Sequence, residues 1–278
     1  MARLLTCAAC ALALVSIAAS QDAPTRIVDE LTQPFDRILD RYVRDGYVYY
    51  AALKQERSGL DRYLSAMASV PADELKAWPR QRQLAFWINA YNAFVLEAVI
   101  DNYPIRGDSA SYPPNSIRQV VGAFEVRTFR AGGRSLTLDA IEREVIDPFG
   151  DARTLLALAR GSIGGGRLRS EAYVADRIEV QLAEMAEEIV TRREMVLIDP
   201  ANNQVSVSPL FSWREQEFIA SFTDRADTRY IDRSPIERAV LALLAPIVLP
   251  LESDFLLKNQ FHLVFHDYDW RLNDLAER

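Results

Sequence analysis

The chain is poor in the residue types that commonly carry chemistry in enzymes. Its 278 residues include two cysteines, Cys7 and Cys10, and two histidines, His262 and His266. Both cysteines lie in the apolar segment at the N-terminus, so cleavage after that segment would leave a chain without any thiol. A chain of this kind has no disulfide, no thiolate nucleophile and no thiolate metal ligand.

Runs of basic residues are absent as well. The 32 Lys and Arg residues face 39 Asp and Glu residues, which gives a formal net charge of −7 at pH 7. Nucleic acids and anionic membranes attract clusters of Lys and Arg, so an evenly spread acidic excess predicts neither as a partner. With 49% apolar residues, the chain is long enough to bury a core in one large domain.

The first 20 residues are typical of a secretory signal peptide. Arg3 supplies the positive start, residues 4–19 are apolar, and small residues end the segment at Ser20. We therefore predict cleavage between Ser20 and Gln21, export to the periplasm or the medium, and no integral membrane segment in the mature chain. A retained membrane anchor is the alternative, although the apolar stretch is short for a membrane span.

Residues 84–100, LAFWINAYNAFVLEAVI, form the strongest pattern in the remaining chain. Apolar side chains would cover every face of a helix built from them, which predicts a buried central helix of roughly 20 residues. Asn89, Asn92 and Glu97 interrupt it, and polar groups at such central positions are unfavourable in a membrane. In a soluble core they need partners from other segments, so they indicate either a structural polar network or the floor of a site.

Further helices and short strands surround this segment in the sequence. The predicted helices cover residues 27–44, 58–70, 137–147 and 170–192, with two more opening at Ser208-Pro209 and Ser234-Pro235. The predicted strands cover residues 124–129 with 134–136, 195–198 with 205–207, and 261–265. The fold class expected is α+β: one predominantly helical domain over residues 21–278, with its core at about 27–273, around a buried central helix with small antiparallel β-hairpins.

Several sequence blocks resemble the DUF547 family in their order along the chain. They are GYVYYAAL (46–53), FWINAYNAF (86–94), SIRQVVGAF (116–124), LTLDAIEREVI (136–146), LFSW (210–213) and YDWRLN (268–273). The resemblance implies one mixed, mostly helical domain that is commonly exported in bacteria and has no assigned biochemical activity.

The chain departs from that family where the family has reactive side chains. The resemblance implies Asn-Cys where this chain has Ala159-Arg160, and Cys-Pro where it has Gly165-Gly166. It also implies a histidine at the position of Arg143. Chemistry that relies on a cysteine with a histidine is absent here. The chain is therefore expected to be a degenerate member, and a candidate pseudoenzyme.

The stretch 160–169, RGSIGGGRLR, is the most unusual local pattern. Consecutive glycines could direct backbone N–H groups at an anion, with Arg160, Arg167 and Arg169 supplying positive charge. A P-loop is excluded because Arg167-Leu168 replaces the Lys-Ser/Thr pair of that motif. The alternative is a flexible loop that remains after loss of the family's Cys-Pro turn.

Candidate nucleophiles and metal ligands are few. Ser162 could act as a nucleophile only with a base such as His262 or His266 in reach, and the Gly-x-Ser-x-Gly pattern is not met. The two histidines are four residues apart, but they lie on a predicted strand and lack a third ligand that the sequence can place. We predict no metal site and no cofactor.

Glu97 and Glu142 are the remaining candidates for acid–base chemistry. A buried carboxylate pair could have one raised pKa and one ionised member. Ion pairing of Glu97 with Arg118, Arg143 or Arg160 is the alternative, and it would fix the polar side of the central helix.

Two functions from different classes follow. The first is a non-catalytic binding or interaction domain for a small anionic ligand or an envelope component. Its expected ligand-binding residues are Asn89, Asn92, Arg160, Ser162 and Arg167, with Glu97 in the same pocket. The second is a hydrolase or transferase in which Glu97, Glu142, Ser162 or a histidine replaces the missing cysteine.

Overall fold

The computed structural model describes residues 28–277. The predicted signal peptide, with both cysteines, lies outside the described residues. Within them, the fold is a mixed α+β domain dominated by helices, as the sequence predicts. The α-helices are α1 (Gln33–Tyr42), α2 (Tyr50–Gln55), α3 (Ser58–Ser69), α4 (Ala72–Ala77), α5 (Arg80–Asn102), α6 (Leu138–Ala140), α7 (Arg153–Leu156), α8 (Ile178–Glu188), α9 (Leu210–Trp213), α10 (Glu215–Phe222), α11 (Pro235–Leu244) and α12 (Pro250–Leu257).

Helix α5 is the predicted central helix. Every residue from 84 to 100 except Glu97 is buried, because the apolar side chains on all its faces meet neighbouring elements. By length and hydropathy α5 could cross a bilayer, but 89% of its most apolar window is buried inside the protein. It is therefore the core helix around which α2, α3, α6 and α8 pack.

Seven short strands form three small sheets within the described residues. They are β1 (Val43–Arg44), β2 (Tyr47–Val48), β3 (Thr128–Ala131), β4 (Arg134–Thr137), β5 (Val196–Asp199), β6 (Gln204–Val207) and β7 (His262–Phe265). The pairs β3–β4 and β5–β6 are antiparallel hairpins, as expected. The pair β1–β2 is also an antiparallel hairpin, although Val43 and Arg44 were expected to be helical. Strand β7 pairs in parallel with β6, so this C-terminal segment lies beside residues 204–207.

The helix expected over residues 170–192 is wrong in its first third, since α8 begins only at Ile178. Two side chains hold the preceding segment in an extended path. Asn89 bonds to both the N–H and the carbonyl of Tyr173. Gln181 accepts from the Val174 N–H and donates to the Ala172 carbonyl. These bonds replace the intrahelical ones that periodicity alone predicts.

Two other element boundaries differ from expectation. Strand β3 begins at Thr128 instead of residue 124, because Val126 and Arg127 turn back to donate to the Gly122 carbonyl. Helix α1 begins at Gln33, where Pro34 occupies the first turn.

Two predicted helix starts are confirmed. The Thr137 hydroxyl accepts from the Ala140 N–H and so caps α6, and Ser234 with Glu237 forms a capping box at α11. Helix α6 continues as a π-helix over Ile141–Ile146. This stretch turns Glu142 inward while the next residue, Arg143, stays exposed.

Candidate functional site

Glu142 lies at the centre of a buried cluster of ionised side chains. Its carboxylate accepts a hydrogen bond from Arg160 Nη2 at 2.7 Å and another from Arg214 Nη1. Arg214 also binds Asp147 and donates to Glu217 Oε1 at 2.9 Å. Arg160 and Glu142 are only 6% and 8% exposed. Each arginine therefore has a carboxylate partner inside the protein, which is the condition for keeping buried charges.

The charges in this ion cluster compensate one another, so none is available for a ligand or a reaction. Burial raises the pKa of Asp147, although the hydrogen bond from Arg214 opposes the rise. Burial acts in the same direction at Glu217, but there the hydrogen bond from Arg214 prevails and the pKa is lowered. Because two guanidinium groups face three carboxylates, the cluster has no spare positive charge for an anion.

Asn89 and Asn92 are part of a structural network. Asn89 Nδ2 donates to the Tyr173 carbonyl at 2.8 Å, and its Oδ1 accepts from the Tyr173 N–H at 2.9 Å. Asn92 makes the same pair of bonds to the Ala157 carbonyl (3.1 Å) and the Ala159 N–H (2.9 Å). The two amides thus tie the chain on either side of the glycine-rich loop to α5, and their polar atoms are occupied.

Glu97 does not lie with Glu142. Its carboxylate is 3.7 Å from Arg127 Nη2, while Glu142 belongs to the ion cluster. Of the partners expected for Glu97, Arg118 pairs with Glu125 instead, and Arg160 with Glu142. Burial raises the pKa of Glu97, and Arg127 only partly offsets the rise.

The glycine-rich loop is bonded to the C-terminal segment. The N–H groups of Ile163 and Gly164 donate to the carbonyls of Arg271 (3.0 Å) and Asp269 (2.9 Å). A Cβ atom at Gly166 would lie 2.1 Å from the Leu156 carbonyl oxygen, so only glycine fits there. The expectation that this loop directs its N–H groups at an anion is therefore wrong for these two amides.

The other two arginines of the loop also have carboxylate partners. Arg167 lies 3.1 Å from both Asp45 and Glu188. Arg169 Nη2 lies 2.6 Å from Glu184. The positive charge that the sequence pattern offers to a ligand is thus used within the fold.

A polar cleft of about 390 Å³ opens beside this loop. Its lining residues come from the β1–β2 turn, the glycine-rich loop, the segment after α8 and the C-terminal segment: Asp45, Gly46, Tyr47, Ser162, Ile163, Gly166, Arg167, Thr191, Arg192, Arg193, Glu194 and Asn273. We refer to this as the Arg192 cleft. Of the sequence-predicted site residues, it brings together Ser162 and Arg167.

Arg192 has an environment unlike that of Arg160. Its Nη1 donates to the Gly165 carbonyl at 2.9 Å and its Nη2 to the Ile163 carbonyl at 2.6 Å. Within residues 28–277 it forms no ion pair, and neither does the exposed Arg193 beside it. Burial lowers the pKa of Arg192, and the nearby Glu194 only partly offsets the change.

Sequence reasoning missed Arg192 and Arg193. Basic residues are common in the last turn of a helix, where they complement its dipole, so their place after α8 gave no distinct signal. Of the histidines, His266 Nε2 bonds to the Glu194 carbonyl oxygen at 3.0 Å and His262 is exposed. The described residues contain no group of three or more His, Cys, Asp or Glu side chains that could hold a metal ion.

Residues 75–190 match the family model of DUF547, described as a protein of unknown function. The resemblance to DUF547 is confirmed for that segment. The matched segment includes α5, Glu142, Arg160 and the glycine-rich loop. Arg192 and the C-terminal elements come after it in the chain. None of the curated proteins and none of the solved structures matches the chain.

The two positions at which the DUF547 resemblance implies cysteine lie next to each other. A Cβ atom at Gly165 would be 3.3 Å from the Arg160 backbone nitrogen and 2.8 Å from Tyr268 Oη. Tyr268 Oη is in turn 2.9 Å from Ser162 Oγ. In this chain a buried guanidinium and a glycine occupy the two positions, so no thiol is available there.

Proposed function

We propose that the mature chain is an exported, non-catalytic binding domain whose Arg192 cleft receives a small anion or an anionic group of an envelope component. The observation that carries this proposal is the Arg192 guanidinium. It is partly buried and hydrogen-bonded to two carbonyl oxygens, and it lacks an ion pair among the described residues.

The physical argument is one of incomplete charge compensation. Removing a guanidinium from water is unfavourable, and carbonyl dipoles offset less of that penalty than a carboxylate does. An anion entering the cleft would supply the missing charge. The exposed Arg193 on the same wall would add attraction, while the Ser162 hydroxyl could donate a hydrogen bond. Glu194 also lines the cleft and would favour small or singly charged groups over highly charged ones.

The lack of activated side chains supports a non-catalytic role. Glu142 is held by two arginines. Ser162 is bonded to Tyr268, and burial raises the pKa of that phenol, so it is protonated at neutral pH and is no general base. The alternative of a hydrolase or transferase would need a base that these contacts do not provide.

A thermal-shift titration with inorganic phosphate and acetate tests the proposal. Wild type is compared with Arg192→Met and Arg193→Met, at constant ionic strength set with chloride. Arg130→Met is the matched control, because Arg130 is exposed and forms no ion pair within residues 28–277. We expect at least one anion to raise the melting temperature of wild type and of the control, with the increase reduced in both cleft variants.

Phosphate also stabilises proteins without binding to a site, and that effect should be equal in all four proteins. Equal increases in wild type, the two cleft variants and the control would therefore refute the Arg192 cleft as an anion site. The same result would follow if neither anion shifted the wild-type transition.

A further inference from the structure

Three aromatic side chains form a partly exposed surface, which we call the aromatic platform: Trp213, Tyr268 and Trp270. The ring centroid of Trp270 is 4.3 Å from that of Tyr268 and 6.0 Å from that of Trp213, and the two indole planes are within 19° of each other. Trp213 is 50% exposed. Tyr268 and Trp270 are half-buried, so Trp213 contributes most of the exposed ring surface. Exposed aromatic surface of this kind is a common feature of binding sites.

Three side chains from other segments pack against Trp270 and fix its position. Tyr112 and Phe124 pack edge-on against Trp270, with centroid distances of 5.8 and 6.4 Å. The Arg118 guanidinium carbon lies 4.8 Å from the Trp270 ring centroid and 4.4 Å from that of Phe124. These contacts fix the Trp270 ring before any ligand arrives, which lowers the entropy lost on binding.

A polar edge accompanies the platform. Asp139 donates its backbone N–H to the Phe124 carbonyl at 3.1 Å, and its carboxylate is close enough to Arg118, which lies over Trp270, for the two charges to interact. Its half-buried carboxylate makes no hydrogen bond and no ion pair within residues 28–277. Burial raises its pKa, with Glu125 and Glu142 adding to the rise and Arg143 and Arg118 opposing it. Asp139 thus provides hydrogen-bond acceptors that no residue in the described part of the chain uses.

We propose that the aromatic platform binds a pyranose ring of a glycan, with Asp139 accepting hydrogen bonds from its hydroxyl groups. A pyranose has an apolar face of C–H groups and a rim of hydroxyls that both donate and accept. The C–H face matches flat indole rings through dispersion and C–H to π attraction. The hydroxyl rim can donate hydrogen bonds to the Asp139 carboxylate.

Other occupants match these groups less well. An apolar helix or a lipid chain would cover the rings but bury the Asp139 carboxylate without a donor, which is unfavourable. A free anion would be repelled by Asp139. The platform residues differ from those of the Arg192 cleft, although the bond between Tyr268 and Ser162 joins the two regions. Sugar binding therefore does not require that the cleft take an anion.

Binding of soluble oligosaccharides to the mature chain tests the proposal. Chitohexaose, cellohexaose and peptidoglycan glycan strands are titrated while tryptophan fluorescence and heat are recorded. We expect at least one of them to bind wild type, with affinity reduced at least about tenfold in Trp213→Ala and several-fold in Asp139→Asn. Tyr49→Ala is the matched control, because Tyr49 is an exposed aromatic residue (46%) outside the platform.

The variants also separate this proposal from the previous one. Arg192→Met should bind the glycan as wild type does, and urea unfolding should show that Trp213→Ala remains folded. No binding of any of the three glycans at millimolar concentration, or equal binding by Trp213→Ala and wild type, would overturn the proposal. So would binding of a proline-rich peptide that depends on Trp213 in the absence of glycan binding, since the partner would then be a protein.

Discussion

Arg160 is buried at the start of the glycine-rich loop, and Arg192 is partly buried against the same loop, but their hydrogen-bond partners differ. Arg160 faces the Glu142 carboxylate at 2.7 Å, whereas Arg192 faces the carbonyls of Ile163 and Gly165. Burial acts to lower the pKa of both guanidinium groups. Glu142 more than reverses this at Arg160, while the pKa of Arg192 stays lowered.

The comparison teaches how to separate a structural charge from one that is available to a ligand. Burial of a charged side chain is common to both arginines, so burial alone does not identify a site. The distinguishing features are the lack of a carboxylate partner and the contact with an open cleft. Substitutions at both kinds of charged residue should therefore change stability by different amounts.

Glu142→Gln should have the largest effect on stability. It leaves Arg160 buried without a counter-charge, and breaking a buried ion pair in this way lowers the free energy of unfolding by about 3–5 kcal/mol. Urea unfolding measures the loss. Glu144→Gln is the control, because Glu144 is exposed and its one ion pair within residues 28–277 is with Arg134. It should change stability by less than about 1 kcal/mol. A similar small change in both variants would mean that the ion cluster does not stabilise the fold.

Asn92→Ala should be the next most destabilising. It leaves the Ala157 carbonyl and the Ala159 N–H without partners in the core, which we expect to lower the free energy of unfolding by about 2–3 kcal/mol. Asn102→Ala, which removes one bond to the Ala98 carbonyl near the exposed end of α5, is the control and should lose less than about 1 kcal/mol. Equal losses would show that Asn92 does not hold the chain before the loop.

Arg192→Met should have little effect on stability in chloride. The variant loses two hydrogen bonds to carbonyls but also removes a desolvated charge, so we expect a change of less than about 1 kcal/mol in the free energy of unfolding. Urea unfolding at pH 7 checks this. A loss comparable to that of Glu142→Gln would place Arg192 among the structural arginines and remove its distinction from Arg160.

The smallest stability changes are expected at Glu97 and Asp101, two carboxylates one turn apart on α5 whose pKa values are shifted in opposite directions. Asp101 lies 2.6 Å from Arg127 and 2.8 Å from Arg57, and their hydrogen bonds hold its pKa below the usual value although burial raises it. A lowered pKa in the folded state stabilises the protein above the unfolded-state value, and this stabilisation is lost as the pH falls through the folded-state pKa. Asp101→Asn should therefore be less stable than wild type at pH 7, by about 0.5–1 kcal/mol.

Glu97 should behave in the opposite way, because burial raises its pKa. Here the unfolded state ionises first, so wild type loses stability as the pH rises from the unfolded-state pKa through the folded-state pKa. Glu97→Gln should be more stable than wild type at pH 7 by a few tenths of a kcal/mol, roughly. Urea unfolding of both variants from pH 3 to pH 7 should show the two differences shrinking toward acid pH. If either variant differed from wild type by the same free energy of unfolding at every pH, the pKa shift given for that residue would be wrong.

Much of the fold was predictable because it depends on local patterns. The apolar run at 84–100 predicts a buried helix on any reading, and the hairpin around residues 199–203 follows from its turn residues. The start of α8 was not predictable, since it depends on hydrogen bonds from Asn89, 84 residues before Tyr173, and from Gln181 to the preceding backbone.

The candidate site was predictable only in part. Glycines and arginines at 160–169 indicated a charged loop, and the need of Asn89 and Asn92 for partners was evident from the helix pattern. Which arginine finds a carboxylate depends on contacts between distant segments. Glu142 lies 18 residues before Arg160 and 72 before Arg214, and no periodicity records such pairings.

The buried central helix, the hairpins β3–β4 and β5–β6, and the absence of Cys or His at residues 143, 160 and 165 follow from the sequence, because hydrophobic periodicity and residue identity are local properties. Tertiary contacts, in contrast, pair Arg160 with Glu142, leave Arg192 on backbone carbonyls, and bring Trp213 against Tyr268 and Trp270. The physical reason is that charge compensation and ring packing depend on distances of a few ångströms between segments far apart in the chain.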